Sequence, residues 1–137
     1  MSPTPEQRLV DQLSQYGIRP SAQRVAIARY VLATDQHPTA EQVWSRVRAT
    51  FPTVSRATVY NTLQLFKQHG LLLEHELGGG SAVFDPNVEP HHHFVDDETG
   101  EIRDIPWSAI AVGDVQLPDV QVREYSVVVR GRRADAP

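Results

Sequence analysis

The sequence predicts an α+β protein, with an N-terminal winged helix-turn-helix domain and a small C-terminal domain built on a β-hairpin. Three observations carry this. Thr4, Ser21, Thr39 and Ser55 each stand just before a run of apolar residues at helical spacing. After the fourth run come two short apolar stretches separated by Gly78-Gly79-Gly80, the pattern of a two-stranded wing. Beyond a segment bracketed by Pro86 and Pro90, the residues from His91 to Asp104 fold about a turn at Asp97-Glu98-Thr99-Gly100.

Each element has a local cause. Thr4-Pro5-Glu6-Gln7 combines a hydroxyl cap, a proline at the first helical position and a capping-box glutamine. Leu9, Val10, Leu13 and Tyr16 then recur at helical spacing, and Gly17 ends the run. Ser21 caps a second helix with Val25, Ala28, Val31 and Leu32 as its buried stripe. Thr39-Ala40-Glu41-Gln42 is another capping box, and Val43, Trp44 and Val47 point inward from the helix that follows. His37 lies in the loop before that cap, where a histidine is usually solvated. The fourth helix runs from Arg56 toward His69, with Val59, Leu63 and Phe66 as its core stripe and Gly70 at its end. Its opposite face shows Ala57, Tyr60, Asn61, Gln64 and Gln68, flanked by Arg56 and Lys67. One aromatic, three amides and flanking cations suit base-edge readout in a DNA groove better than plain solvation. The third and fourth helices form the helix-turn-helix, Leu71 to Leu77 and Ala82 to Asp85 form the wing, and His69 and His75 are read as surface residues.

On the C-terminal hairpin, strand alternation puts His91 and His93 on one face and His92 on the other. Closing the turn pairs Asp96 with Glu101, which sets His93 near Asp104. Opposed residues have Cβ atoms roughly 4.5–5.5 Å apart, close enough to share one ion. His91, His93 and Asp104 then make half a coordination shell, while Asp96, Asp97 and Glu98 read as a solvated turn.

With 137 residues the chain makes one domain or two small subdomains. The net charge of −4 hides an asymmetry: residues 1–80 carry eight Lys/Arg against six Asp/Glu, and residues 81–137 carry five against eleven. The first half can meet phosphate and the second can hold a cation. There is no cysteine, which excludes disulfides and thiolate metal sites. The first residues lack the apolar core of a signal peptide, and no apolar run reaches the ~20 residues of a membrane helix, so a cytoplasmic protein with no membrane partner is expected.

The chain resembles the ferric uptake regulator (Fur) superfamily of metal-dependent repressors over residues 7–130. The resemblance rests on His37-Pro38-Thr39-Ala40-Glu41, on Ser55-Arg56-Ala57-Thr58-Val59-Tyr60-Asn61-Thr62-Leu63, and on His91-His92-His93-Phe94, in that order. It implies a DNA-binding domain over residues 1–85, a hinge at 86–90, and an α/β dimerisation and metal-binding domain over 91–137. It implies a regulatory metal on His37, Asp85, His91, His93 and Asp104, each a competent donor here. Three imidazoles and two carboxylates suit Fe(II) or Mn(II), with Zn(II) able to enter in vitro. The resemblance implies operator DNA as partner, bound by a homodimer. It adds Arg19, Gln23, Arg24, Ser55 and Thr58 as further DNA contacts beside Arg56, Ala57, Tyr60, Asn61 and Gln64.

Within that superfamily the aspartate at 104 resembles the peroxide-sensing members, where iron- and zinc-responsive ones commonly carry glutamate. In peroxide sensors bound Fe(II) reacts with hydrogen peroxide and a ligand histidine is oxidised, which puts the oxidation-sensitive positions on His37 and His91. The chain departs from many members in lacking the two cysteine pairs of a structural zinc site; the first would fall at Asp96 and Thr99. The C-terminal domain is then expected to be held by packing, with Phe94, Ile102, Ile105, Trp107 and Ile110 against Tyr125, Val127 and Val129, and a strand over 124–130. Residues 106–121 offer at most one weak helix. An iron-responsive or haem-linked repressor like the iron response regulator (Irr) is the alternative, although no Cys-Pro haem motif is present. A non-haem iron enzyme would use the same donors but would leave the winged helix unexplained, so no enzyme is expected.

Overall fold

Each of the four hydroxyl residues caps the helix expected of it. The computed structural model describes residues 2–77 and 80–134, divided between two units, Met1–Val88 and Glu89–Pro137. In the first unit α1 spans Pro5–Gln15, α2 Ala22–Val31, α3 Ala40–Val47 and α4 Arg56–Gln68. Thr4 and Thr39 make full capping boxes with Gln7 and Gln42, and Ser21 and Ser55 accept from the backbone N–H of Arg24 and Thr58. These bonds satisfy amide groups that the first turn cannot pair for itself. Gly70, at φ 86°, ends α4 in the left-handed conformation that glycine adopts without strain.

The buried stripes of these helices meet in one core, where Leu13, Ile27, Val31, Val43, Leu63 and Phe66 are all fully enclosed. Ile27 joins the α2 stripe at a position the expected spacing omits. Trp44 is half-buried, and its indole N–H donates to the Val54 carbonyl (2.9 Å), fastening α3 to the turn that enters α4. His69 is exposed but not idle: its Nδ1 lies 2.8 Å from the Tyr16 carbonyl, joining the ends of α4 and α1.

The wing is shorter than the sequence suggests. β1 covers Leu73–His75 and β2 covers Val83–Asp85, paired antiparallel with His75 opposite Val83. Leu71 and Leu72 belong to the helical core instead. Gly78 and Gly79 of the expected turn lie outside the described residues. Phe84 N–H donates to the Pro38 carbonyl (2.8 Å), and Thr39 bridges Val83, so the loop carrying His37 is tied to β2.

The second unit is a three-stranded sheet in the order β4-β3-β5. β3 (His91–Asp96) pairs antiparallel with β4 (Ile102–Pro106) and parallel with β5 (Val128–Gly131). His93 stands opposite Asp104, and Asp96 N–H donates to the Glu101 carbonyl, the register that closing the turn at residues 97–100 requires. Asp96 is buried and is no solvated turn residue: its Oδ1 accepts from Glu98 N–H (2.8 Å) and Thr99 N–H (3.1 Å), while Gly100 takes φ 76°.

Those two amides, Thr99 first, hold the Asp96 carboxyl below its usual value of 3.8. A carboxyl depressed on folding adds stability that is fully present above its unfolded value and is lost as pH falls through the folded one. The stability advantage of the wild type over Asp96→Asn is therefore expected to be constant near neutrality and to shrink below about pH 4. Urea unfolding at pH 7 and pH 3 measures it; an unchanged difference contradicts the assignment.

The expected hydrophobic core of this unit forms only in part: Trp107 meets Tyr125, with ring centroids 5.5 Å apart. Among its described residues Val95 is the one buried hydrophobic, beside the buried His91, His92, His93 and Asp96. Trp107, Tyr125 and Val129 are exposed, and Ile102, Ile105, Ile110 and Val127 are half-buried. A three-stranded sheet with one 3-10 turn (Trp107–Ala109) has too little chain to cover both faces. The expected strand over 124–130 pairs only from Val128 onward. Among the described residues no helix is long and apolar enough to cross a membrane.

Candidate metal and nucleic-acid sites

Within the first unit, β1 and β2 set His75 and Asp85 diagonally on one face of the wing, because Asp85 lies two residues beyond the partner of His75. The bond from Phe84 to Pro38 brings His37 to the same carboxylate. Asp85 Oδ2 stands 3.3 Å from His37 Nε2 and 3.2 Å from His75 Nε2, while its Oδ1 accepts from Asn87 N–H at 2.9 Å. Asp85 and His37 are buried. The reading of His75 as a surface residue is thus wrong: it faces Asp85, and a β1–β2 register would have revealed it.

Within the second unit, His91 and His93 share a face of β3 and Asp104 faces them from β4. His91 Nε2 is 3.3 Å, and His93 Nε2 3.8 Å, from Asp104 Oδ1, with the two rings 4.5 Å apart. The carbonyl of Glu89 lies 2.6 Å from His91 Nδ1 and can only accept, which puts a proton on Nδ1. A neutral His91 then turns the Nε2 lone pair toward a carboxylate oxygen. Two lone pairs at that distance need a cation between them, a proton or a metal ion.

The spacing fits a metal. Two ligand atoms about 2.1 Å from one ion, at tetrahedral or octahedral angles, stand roughly 3.0–3.4 Å apart. The distances from a carboxylate oxygen to His75, His37 and His91 fall in that interval, at 3.2, 3.3 and 3.3 Å. His92 faces the other way, as alternation requires. Its Nδ1 accepts from Val127 N–H (2.9 Å), and its ring stacks on Trp107 with centroids 4.4 Å apart. It ties the segment before β5 to the sheet and belongs to no donor group.

The residues expected to meet DNA divide into two groups. Arg19, Gln23, Arg24, Thr58 and Asn61 line one open cleft of about 660 Å³. Within it an Arg24 guanidinium N–H donates to the Arg19 carbonyl at 2.7 Å. Ala57, Tyr60 and Asn61 are exposed on α4, Tyr60 at 49%. Ser55 is occupied as the cap of α4 and also donates its hydroxyl to Thr58. Arg56 and Gln64 are not simply presented to solvent. The Arg56 guanidinium makes a bidentate pair with Glu41 (2.8 and 3.0 Å) and stacks over Trp44 at 3.8 Å. That hydrogen-bonded pair lowers the Glu41 carboxyl below its usual range. Gln64 is half-buried, and with Lys67 it donates to Glu74 in β1.

Residues 15–127 match the family described as the Ferric uptake regulator family. The peroxide-responsive repressor PerR of Staphylococcus aureus (strain Mu50 / ATCC 700699) is 38% identical over 98 residues, covering 72% of this chain and 66% of the relative. The chain thus matches just under two thirds of that relative's length. Among solved structures, a zinc-bound manganese uptake regulator aligns with a TM-score of 0.70 at 21% identity, covering 92% of this chain and 98% of the other. The ferric uptake regulator from Pseudomonas aeruginosa with manganese aligns at 0.64 and 26% identity, covering 91% and 97%.

Proposed function

The chain belongs to the ferric uptake regulator family, and from that premise we propose that it is a metal-responsive transcriptional repressor that binds operator DNA as a homodimer and senses hydrogen peroxide. One divalent ion, Fe(II) or Mn(II), takes His37, Asp85, His91, His93 and Asp104 as ligands. The observation that carries this reading is the donor chemistry: both units place imidazole nitrogens at coordination-edge distance from a carboxylate, with no thiolate in the chain. His37 and Asp85 lie in the winged-helix unit, and His91, His93 and Asp104 follow the segment Pro86-Asn87-Val88-Glu89-Pro90. An ion with different affinity for two arrangements of the chain shifts the population between them, and DNA affinity follows.

Support for the peroxide signal comes from Asp104 and from the likeness to a relative named a peroxide-responsive repressor. Iron held by these donors would relay electrons from an imidazole to peroxide: a ring C–H of His37 or His91 would become C–OH, its two electrons would reduce the peroxide O–O bond, and the second peroxide oxygen would leave as water. The oxidised ring is a poorer ligand, so metal is lost and DNA is released. Peptide mass spectrometry on Fe(II)- and Mn(II)-loaded protein, before and after a small dose of peroxide, tests this. A one-oxygen gain confined to the iron sample, on the His37 or His91 peptide, is expected. Iron-loaded protein that stays unmodified yet needs metal to bind DNA would move the reading to an iron-responsive or haem-linked repressor.

Tyr60 is the exposed aromatic of the proposed reading face. Tyr60→Ala is expected to cost about 1–3 kcal/mol of discrimination between operator and mismatched duplex while metal affinity stays unchanged. Binding to either duplex is expected to weaken steeply with salt through Arg19 and Arg24. Titration by fluorescence anisotropy across a salt series measures both. A Tyr60→Ala protein that discriminates as well as wild type would remove α4 from the reading role.

A further inference from the structure

We infer that His75 is itself a metal ligand, giving Met1–Val88 with His37 and Asp85 a three-donor set that holds a first-row divalent cation even without the donors of Glu89–Pro137. The inference deepens the proposed function and rests on its assignment of His37 and Asp85 as ligands. It adds a donor that is not among those five positions.

The geometry carries it. Asp85 Oδ2 is the common vertex of two contacts of nearly equal length, 3.3 Å to His37 Nε2 and 3.2 Å to His75 Nε2. Both lengths match the edge of a coordination polyhedron with bonds of about 2.1 Å. The other carboxylate oxygen is committed to Asn87 N–H, which fixes the plane of the carboxylate and aims Oδ2 at the two rings. Two imidazoles and one carboxylate form a donor set that Fe(II), Co(II) and Zn(II) accept, leaving further positions open. Each donor is also fixed by backbone. His75 and Asp85 stand on paired strands, and His37 is held by the Phe84–Pro38 bond and by the Thr39 cap beside it. The His75 side chain is 20% exposed, so an ion can reach this group from solvent.

The competing role for His75 is that of a positioning residue, whose N–H donates to Asp85 and orients it while a metal binds elsewhere on the carboxylate. The two roles separate in the spectrum. Co(II) added to the full chain reports coordination number through its visible absorption, and competition with a chelator gives affinity. If His75 is a ligand, His75→Ala is expected to weaken Co(II) binding by roughly 100-fold or more and to change the spectrum. His75→Gln keeps an N–H donor without the imidazole nitrogen, and is expected to restore neither. A second variant isolates the site: with His91, His93 and Asp104 all changed to alanine, the chain is expected still to bind one equivalent of Co(II), and to lose it when His75→Ala is added.

Wild-type affinity and spectrum in His75→Gln would overturn the inference and leave His75 as a positioning residue. A His75→Ala protein indistinguishable from wild type would overturn it as well, with the five-ligand reading intact. Wild-type protein that binds no Co(II) would remove the proposed function together with the inference.

Discussion

Phe66→Ala is expected to lower the unfolding free energy of the winged-helix unit by about 3–5 kcal/mol. The ring, on α4, is completely enclosed in the core that also holds Leu13, Ile27 and Val43, one from each of the other three helices. No neighbour is free to collapse into the space: α4 is held at one end by the Ser55 cap and at the other by the His69–Tyr16 bond. The loss therefore combines the transfer free energy of the ring with an unfilled cavity. Domains of this size have about 5–15 kcal/mol in hand, so a large share of the stability goes with one side chain. Urea unfolding followed by far-ultraviolet circular dichroism, which is dominated by these helices, measures it. A change below about 1 kcal/mol would mean that α4 does not anchor the core. Metal-dependent DNA binding at low temperature is expected to survive, since Phe66 belongs to neither donor group nor to the exposed face of α4.

The features legible in the sequence are those whose causes are local. A hydroxyl cap bonds to an amide three residues on, so Thr4, Ser21, Thr39 and Ser55 located four helix starts without any knowledge of the tertiary fold. The hairpin register was legible for the same reason: a four-residue turn closed by Gly100 leaves one way to oppose His93 and Asp104. Partnerships at longer range were not. Glu41 claims Arg56 across fifteen residues of chain and Glu74 claims Gln64 across ten, and a helical wheel drawn for α4 alone shows neither. His75 was passed over because its meaning depends on which residue of β2 it opposes, and the glycine-rich wing turn leaves that register open. The C-terminal segment failed differently. Leu117, Val120 and Tyr125 are apolar yet exposed, because residues 110–127 form no regular element that could fold them back on the sheet.

His93→Ala is expected to raise the Mn(II) dissociation constant by roughly 100-fold or more, beyond what loss of a residue that merely orients a ligand would cause. His93 is 1% exposed on β3, on the same face as His91 and directly opposite Asp104, so alanine removes a donor that no solvent-side residue can replace. The consequence for stability follows from mass action. At a free metal concentration 100 times the wild-type dissociation constant, binding adds about 2.7 kcal/mol to the folded state. With affinity 100-fold weaker, the same metal adds only about 0.4 kcal/mol. The metal-induced rise in melting temperature is thus expected to all but vanish in the variant. Its melting temperature without metal is expected to fall by the cost of the cavity the imidazole leaves, so the metal-induced rise is compared within each protein. Operator binding is expected to lose its dependence on micromolar Mn(II), while weak binding that follows salt alone remains. Calorimetric titration and thermal melts at matched free metal separate these effects. If the variant binds Mn(II) within threefold of wild type, His93 is a structural histidine and the donor group of the sheet unit must be redrawn around His91 and Asp104.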